Sequence, residues 1–128
     1  MLTIGQVASR AGVRTSAIRY YEAQGLLPKP MRQGGKRTYA PSILERLAVI
    51  ELAKSAGFAL SDIRTLLSSA ETGNPGTSWR RQVPAKAAAI DAHMQRLVEM
   101  KDLQAKLESC SCATLEDCGR AFIKARSK

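Results

Sequence analysis

The chain has 128 residues, of which 45% are hydrophobic, and its formal net charge is +9 with a pI near 10.0. This length allows one modest core, and the charge favours polyanions as partners. The sequence contains neither a signal-like amino end nor an apolar run near the roughly 18 residues that span a bilayer, which excludes a membrane protein and predicts a cytoplasmic one. Residues 1–40 carry seven Lys and Arg residues against one acid, so the basic end is the amino end.

Two short helices separated by a glycine turn are predicted at this basic end. Thr3 is suited to cap the first helix, and Gly12 to end it in a left-handed conformation. Thr15 or Ser16 is predicted to cap the second helix, "SAIRYYEAQG". Such a pair is a helix-turn-helix candidate.

The second helix is predicted to turn Ile18 inward and to leave Arg19 and Tyr21 on other faces. Tyr20 is assigned to the core, because an aromatic side chain close to an inward isoleucine usually packs. From its amino end, Arg14, Ser16 and Arg19 are placed to reach phosphates or base edges of DNA.

The segment "LLPKPMRQGGKRTYAP" excludes a helix, and Gly34 with Gly35 predicts a hairpin that would form a wing. Ser42 is then predicted to cap the helix "ILERLAVIELAKSAG", with an apolar stripe that includes Leu47 and Leu52. A further helix, "LSDIRTLL", has Ser61 or Asp62 in its cap region.

A linker is predicted at "SSAETGNPGTS", followed by a long helix. Its apolar residues step by three and four, which predicts a coiled-coil stripe: Val83, Ala87, Ile90, Met94, Leu97, Met100, Leu103 and Leu107. One helix cannot bury this stripe against itself, so a partner helix is expected, with packing on the chain's own core as the alternative. Pro84 either begins this helix or lies inside it and bends it.

The stretches "TIGQVASRAGVRTSAIRYYEAQGLL", "RTY" and "AGFALSDIRTLL", followed by the long helix, resemble the MerR family of bacterial transcription regulators over residues 2 to about 107. The resemblance implies a mainly α fold, with a winged helix-turn-helix DNA-binding domain followed by a dimerisation helix that forms an antiparallel coiled coil in the dimer. It also implies a homodimer on an inverted-repeat promoter site, which distorts double-stranded promoter DNA for RNA polymerase when an effector binds.

The resemblance also places DNA contacts and domains in this chain. Arg19, Tyr21, Arg37 and Tyr39 fall on family contact positions, with Lys36 nearby in the wing. We therefore expect a DNA-binding domain over residues 1–70, a linker over 71–82, a dimerisation helix over 83–107 and a cysteine-containing effector loop and tail over 108–128.

All three cysteines of the chain, Cys110, Cys112 and Cys118, lie in "ESCSCATLEDC". In a reducing cytosol such spacing is more typical of a metal or redox site than of disulfides. Thiolates select soft or borderline ions such as Zn(II), Cd(II), Hg(II) or Cu(I). The two cysteines of "CSC" are able to face one ion only if the helix has ended, and "CATLEDC" must form a loop that returns the third.

The resemblance places a metal-binding loop here in short family members. The iron–sulfur, redox-sensing branch has four cysteines, and the first falls on Leu107 in this chain, so a [2Fe–2S] cluster is not expected. Divalent-metal members add a cysteine from the partner's long helix, where this chain has Thr77 and Ser78. Glu108, Glu116 and Asp117 are therefore candidates to complete a site with three sulfurs.

Two alternatives to a metal sensor stay open at the level of sequence. Thiol oxidation or alkylation would use the same cysteines, and a purely architectural DNA-binding protein would not use them. An enzyme is not expected, because the only histidine, His93, is distant in sequence and no nucleophile, base and orienting group come together.

Overall fold

The computed structural model describes residues 1–126, so the last two residues of the predicted tail lie outside the described residues. Two compact units are present, Met1–Lys86 and Ala87–Lys128. The elements in chain order are β1 (Leu2–Thr3), α1 (Ile4–Ala11), α2 (Thr15–Ala23), β2 (Met31–Gln33), β3 (Lys36–Tyr39), α3 (Ile43–Ser55), α4 (Leu60–Thr72), α5 (Pro75–Glu108) and α6 (Leu115–Arg126).

The helix-turn-helix is formed by α1 and α2. Thr3 caps α1 as predicted: its Oγ1 accepts from the Gln6 N–H at 3.2 Å, and Gln6 Oε1 accepts from the Thr3 N–H at 2.9 Å. Gly12 ends α1 with φ of +70°, a left-handed conformation that glycine adopts without steric cost. The predicted cap of α2 is wrong, because α2 begins at Thr15 after Arg14 and has no side-chain cap.

The wing is the antiparallel pair β2 and β3, in which Arg32 lies opposite Arg37. Gly34 and Gly35 form its turn with φ of +58° and +81°, as the predicted hairpin requires. The sequence did not predict β1, which pairs with the other side of β3 and completes a sheet of order β1-β3-β2.

One hydrophobic core lies in the first unit. Its buried members come from β1, α1, α2, β3, α3, α4 and the loops between them: Leu2, Val7, Ile18, Tyr21, Leu26, Leu27, Tyr39, Ile43, Leu47, Ile50, Ala53, Phe58, Ile63 and Leu67. The prediction of an inward Leu52 is wrong, since its side chain is exposed on the face of α3 opposite Ile50. Ser42 precedes α3 without a cap bond, whereas Asp62 Oδ2 accepts from the Ala59 N–H at 3.0 Å and does cap α4.

Helix α5 begins at Pro75, so most of the segment predicted as a linker is helical. Pro84 lies inside the helix, the second of the two alternatives. There it cannot donate a backbone hydrogen bond to the carbonyl of Arg80. No helix among the described residues is long and apolar enough to cross a membrane.

The apolar stripe of α5 is largely exposed. Its large side chains from Val83 to Leu107 are between 42% and 64% exposed. In the second unit a short loop follows Glu108, and α6 then carries Phe122 and Ile123, which are also exposed. These surfaces are therefore available to a partner.

Candidate functional site

The amino end of α2 presents polar groups to solvent. Arg14, Ser16 and Arg19 are exposed, as the sequence predicted. Because α2 has no side-chain cap, the N–H groups of Thr15 and Ser16 are also available to an anion.

The predicted positions of Tyr20 and Tyr21 are reversed: Tyr20 was expected in the core and Tyr21 on another face of α2. Tyr20 is 49% exposed, whereas Tyr21 is 2% exposed. The Tyr21 hydroxyl donates to Glu51 Oε1 at 2.7 Å and accepts from Lys54 Nζ at 2.8 Å. Burial raises the pKa of Tyr21, and the bond to the Tyr21 hydroxyl raises the pKa of Lys54. The ring of Tyr21 is therefore part of the core.

Glu22 links the wing to α2. Its carboxylate accepts from Arg37 Nη1 at 3.2 Å and from the Tyr39 hydroxyl. Tyr39 is 3% exposed, and burial together with Glu22 raises the pKa of its hydroxyl to about 12. The one acid of the first forty residues thus fixes two of the predicted DNA-contact residues on β3.

Two of the predicted contacts meet in one polar groove. Arg19 and Arg37 line a cavity of about 390 Å³ with Glu22, Lys29 and Arg32. Arg14, Ser16 and Lys36 do not line this groove. Neither Arg19 nor Lys29 has a hydrogen-bond or ion-pair partner among the described residues, so both cations are free to bind a phosphate.

Sequence reasoning did not identify Glu22, Lys29 or Arg32 as functional residues. The signal for Glu22 was its position as a lone acid among seven cations. Lys29 and Arg32 were part of the same charge count, but only the folded hairpin places them beside α2.

The three cysteines come together in the second unit. Helix α5 ends at Glu108, so Cys110 and Cys112 lie in a loop, as their spacing required. The loop is shorter than predicted, because Cys118 lies in the first turn of α6, where Thr114 Oγ1 accepts from the Asp117 N–H at 3.1 Å. All three sulfurs lie within 4.8 Å of one another, and those of Cys110 and Cys112 are 2.7 Å apart.

The pKa values of the Cys110 and Cys112 thiols are shifted in opposite directions. The hydrogen bond with the Cys112 thiol lowers the pKa of Cys110, and the Cys112 backbone N–H adds to this by donating to Cys110 Sγ at 3.4 Å. The same interaction raises the pKa of Cys112 to about 11. Cys110 is therefore the thiol that becomes a thiolate first, the form that binds soft ions.

No fourth ligand joins the sulfurs. No His, Asp or Glu side chain of residues 1–126 brings a ligand atom into the group. Asp117 Oδ1 accepts from Arg120 Nη2 at 2.5 Å, and Glu116 is exposed. Ser78 is 5% exposed, with its hydroxyl bonded to Gln82 Nε2 at 3.1 Å. The donor set fits one soft ion, whereas a [2Fe–2S] cluster needs four protein ligands.

A winged helix-turn-helix with a basic groove, followed by a long helix with an exposed apolar stripe, defines a DNA-binding regulatory protein. The chain matches the family model "MerR HTH family regulatory protein" over residues 2–70 and the model "MerR, DNA binding" over residues 44–107. The protein belongs to the MerR family of transcription regulators, which are DNA-binding regulators and not enzymes.

Individual relatives cover most of the chain. It is 31% identical to the HTH-type transcriptional activator SoxR homolog of Chromobacterium violaceum, over 91% of this chain and 80% of that one. It is 32% identical to the HTH-type transcriptional regulator CueR of Salmonella typhi, over 91% and 87%. Among solved structures it is similar to the transcription regulator PbrR691 from Ralstonia metallidurans CH34 in complex with lead(II), with 29% identity, a TM-score of 0.75 and coverage of 91% and 93%. The predicted family and fold class are confirmed.

Proposed function

We propose that this protein is a cytoplasmic homodimer that binds an inverted repeat in promoter DNA and switches transcription by RNA polymerase when Cys110, Cys112 and Cys118 bind a soft metal ion. The observation that carries the sensing step is the convergence of all three thiols within 4.8 Å in a short exposed segment. The likeness to a regulator solved in complex with lead(II) supports the same step.

The dimer is supported by the exposed stripe of α5. Apolar side chains that repeat by three and four along one helix are stable in water only when a partner covers them. With 34 residues, α5 is about 51 Å long at 1.5 Å per residue. Two such helices paired antiparallel would hold their DNA-binding units far apart, so we expect two half-sites in opposite orientations.

The proposed direct DNA contacts are exposed or half-buried polar residues of α2 and the wing: Arg14, Ser16, Arg19, Lys36 and Arg37. Tyr21 and Tyr39 were also expected at the interface. Because both rings are buried, we assign them a supporting role, in which Tyr39 shares the Glu22 carboxylate with Arg37.

The proposed switch requires only a modest free energy. Bending a site of 20–30 base pairs costs about 1–6 kcal/mol on smooth elastic estimates. An ion bound by three thiolates in one conformation of the loop 109–114 supplies a differential binding energy of this order. The segments then have separate roles: residues 1–70 bind DNA, 83–107 form the dimer and 108–128 sense the ion.

Two linked assays test this function. Selection from randomised duplexes should yield an inverted repeat, and transcription from that repeat should respond to a soft ion. The variant with all three cysteines replaced by serine should bind the repeat as well as the wild type and lose the response. An unchanged response in that variant would favour an architectural DNA-binding protein instead.

A thiol-based redox or electrophile sensor of the same fold is the second candidate. The convergence of the three sulfurs within 4.8 Å favours it as well, because it brings Cys118 within reach of Cys110 or Cys112 when a thiol is oxidised. Response to a mild oxidant in metal-free buffer, lost in Cys112→Ser, would support this candidate and count against a metal.

A further inference from the structure

Two arginine side chains from other helices bind the backbone where α2 ends. Arg64 of α4 donates to the carbonyl oxygen of Gln24 from Nε at 3.0 Å and from Nη2 at 2.7 Å. Arg46 of α3 donates from Nε at 2.9 Å to the carbonyl oxygen of Leu26. The carboxyl end of α2 is therefore bonded to both helices that follow the wing.

The arginine fork suits this place for two reasons. The last carbonyl groups of a helix have no partner within it and form the negative end of its dipole, which favours a nearby cation. The planar guanidinium also fixes the direction of its bonds, which the ammonium of a lysine does not. Gly25, with φ of +75°, turns the chain directly after Gln24, and Arg64 Nε lies 4.0 Å from the position of a Cβ at Gly25. Arg64 therefore lies over the turn that ends α2.

The opposite end of α2 has no such support. It lacks a side-chain cap, and its Arg14 and Ser16 are exposed to solvent. The nine residues of α2 make it about 13 Å long. A tilt of about ten degrees around the carboxyl end would move the amino end by about 2 Å, enough to break a hydrogen bond to a base edge. Contacts at the carboxyl end therefore bear directly on what the amino end can reach.

Helix α4, which carries Arg64, is itself bonded near both of its ends. Near the amino end, Asp62 Oδ2 pairs with Lys86 Nζ of α5 at 2.6 Å. Near the carboxyl end, Glu71 Oε1 accepts from Arg46 Nη1 and Nη2 at 3.4 Å. The two arginines and α4 thus form one connected support behind α2.

We propose that Arg64, together with Arg46, is a positioning residue for DNA recognition. It orients α2 from its carboxyl end without contacting DNA, so that α4 sets the angle at which the amino end of α2 meets the bases. This inference rests on the proposed contacts of α2 with DNA and is independent of the proposed thiol sensing.

The test compares Arg64→Lys, which keeps the charge but loses the fork, with Arg64→Gln, which loses both. Each full-length variant is titrated with the selected inverted repeat and with an unrelated duplex over a series of salt concentrations. We expect both variants to lose preference for the repeat by about tenfold, the size of one lost base contact. The salt slope should stay at the wild-type value in Arg64→Gln, because Arg64 neutralises no phosphate. Arg96→Lys, at an exposed arginine of α5, is the control and should keep the wild-type preference.

Hydrogen exchange tests the position of α2 without DNA. The N–H groups of Gln24, Gly25 and Leu26 donate to carbonyl groups of α2, and their exchange should be faster in Arg64→Lys. Unchanged exchange at these three residues would overturn the inference whatever the DNA result.

The remaining outcomes are also distinct. A salt slope lower by about 0.9 in Arg64→Gln would show a direct phosphate contact and overturn the inference. A lower melting temperature with unchanged preference would mean that Arg64 only stabilises the fold, which would also overturn it. A wild-type protein that prefers no duplex would instead contradict the proposed function, and the exchange rates would still test the position of α2.

Discussion

In the first unit, the burial of a side chain shifts the pKa of its polar group, and Tyr39 is the clearest case. Its hydroxyl is buried beside Glu22, and its pKa is raised to about 12. A tyrosine in the unfolded chain has a pKa near 10. The folded state therefore holds this proton more tightly, and the stability linked to it is present below pH 10 and is lost as the pH rises from 10 to 12.

We predict that the free energy of unfolding falls by up to about 2 kcal/mol more between pH 10 and 12 in the wild type than in Tyr39→Phe. Denaturant unfolding at a series of pH values measures this difference. Tyr20→Phe, at an exposed tyrosine, is the control and should keep the wild-type slope. Equal slopes in the wild type and Tyr39→Phe would contradict the prediction.

The groove between α2 and the wing gives a second prediction about a single residue. Lys29 has no partner among the described residues, so Lys29→Ala should leave thermal stability unchanged. If Lys29 binds a backbone phosphate, the variant should lose affinity for duplex DNA and reduce the salt slope of binding by about 0.9 per phosphate. Lys101→Ala removes the same charge from α5 and is the control. An unchanged slope in Lys29→Ala would exclude the contact.

The incorrect burial predicted for Tyr20 and Tyr21 shows which side-chain positions helical spacing can predict. Tyr21 stands three positions after Ile18 and shares its face of α2, whereas Tyr20 stands two positions after it and lies on the other side. Helical spacing was therefore sufficient to place them. The carboxylate that the Tyr39 hydroxyl binds was not predictable in this way, because Glu22 is 17 positions away and its partner depends on the fold of the hairpin.

Among the elements, α5 differs most from its prediction. The composition of "SSAETGNPGTS" suggested a linker, yet the helix begins at Pro75, where the missing N–H of proline has no cost. Asn74 precedes it, and its Oδ1 accepts from the Gly76 N–H at 2.7 Å. The composition of the stretch outweighed this local pattern in the prediction, although an Asn-Pro pair is suited to the start of a helix.

Pro84, which lies inside α5, gives a third prediction. A proline in a helix interior costs about 3 kcal/mol relative to alanine, since it removes a hydrogen bond and crowds the preceding turn. We expect Pro84→Ala to raise the melting temperature and the helical circular dichroism signal. The control is Ala85→Ser, an exposed neighbour, which should change either little. A loss of stability in Pro84→Ala would contradict the prediction.

At the scale of the whole molecule, the two candidate functional sites lie in different units. The first contains the hydrophobic core and the basic groove, and the second contains the thiol cluster. The family, fold class and three thiols were predictable because they depend on local patterns: turn glycines, helical periodicity and cysteine spacing. The lack of a fourth thiolate followed from the same patterns, but the bonds of the other candidates did not: Asp117 is paired with Arg120, and the Ser78 hydroxyl is buried and bonded to Gln82.

The last prediction concerns the dimer. Leu97 is 58% exposed in the middle of the α5 stripe, and a charge there would be buried in a coiled-coil interface. Leu97→Glu should therefore give a monomer by sedimentation, while Gln95→Glu, which adds the same charge outside the stripe, should stay dimeric.

A monomer carries only one DNA-binding unit. Leu97→Glu should therefore lose preference for the selected inverted repeat and keep weak, salt-dependent binding to any duplex. That retained binding would show that the first unit is still folded, because Leu97 is not among the side chains that form or pack against its core. A dimeric Leu97→Glu would mean that another surface joins the two chains. In that case the spacing of half-sites would no longer be set by the length of α5.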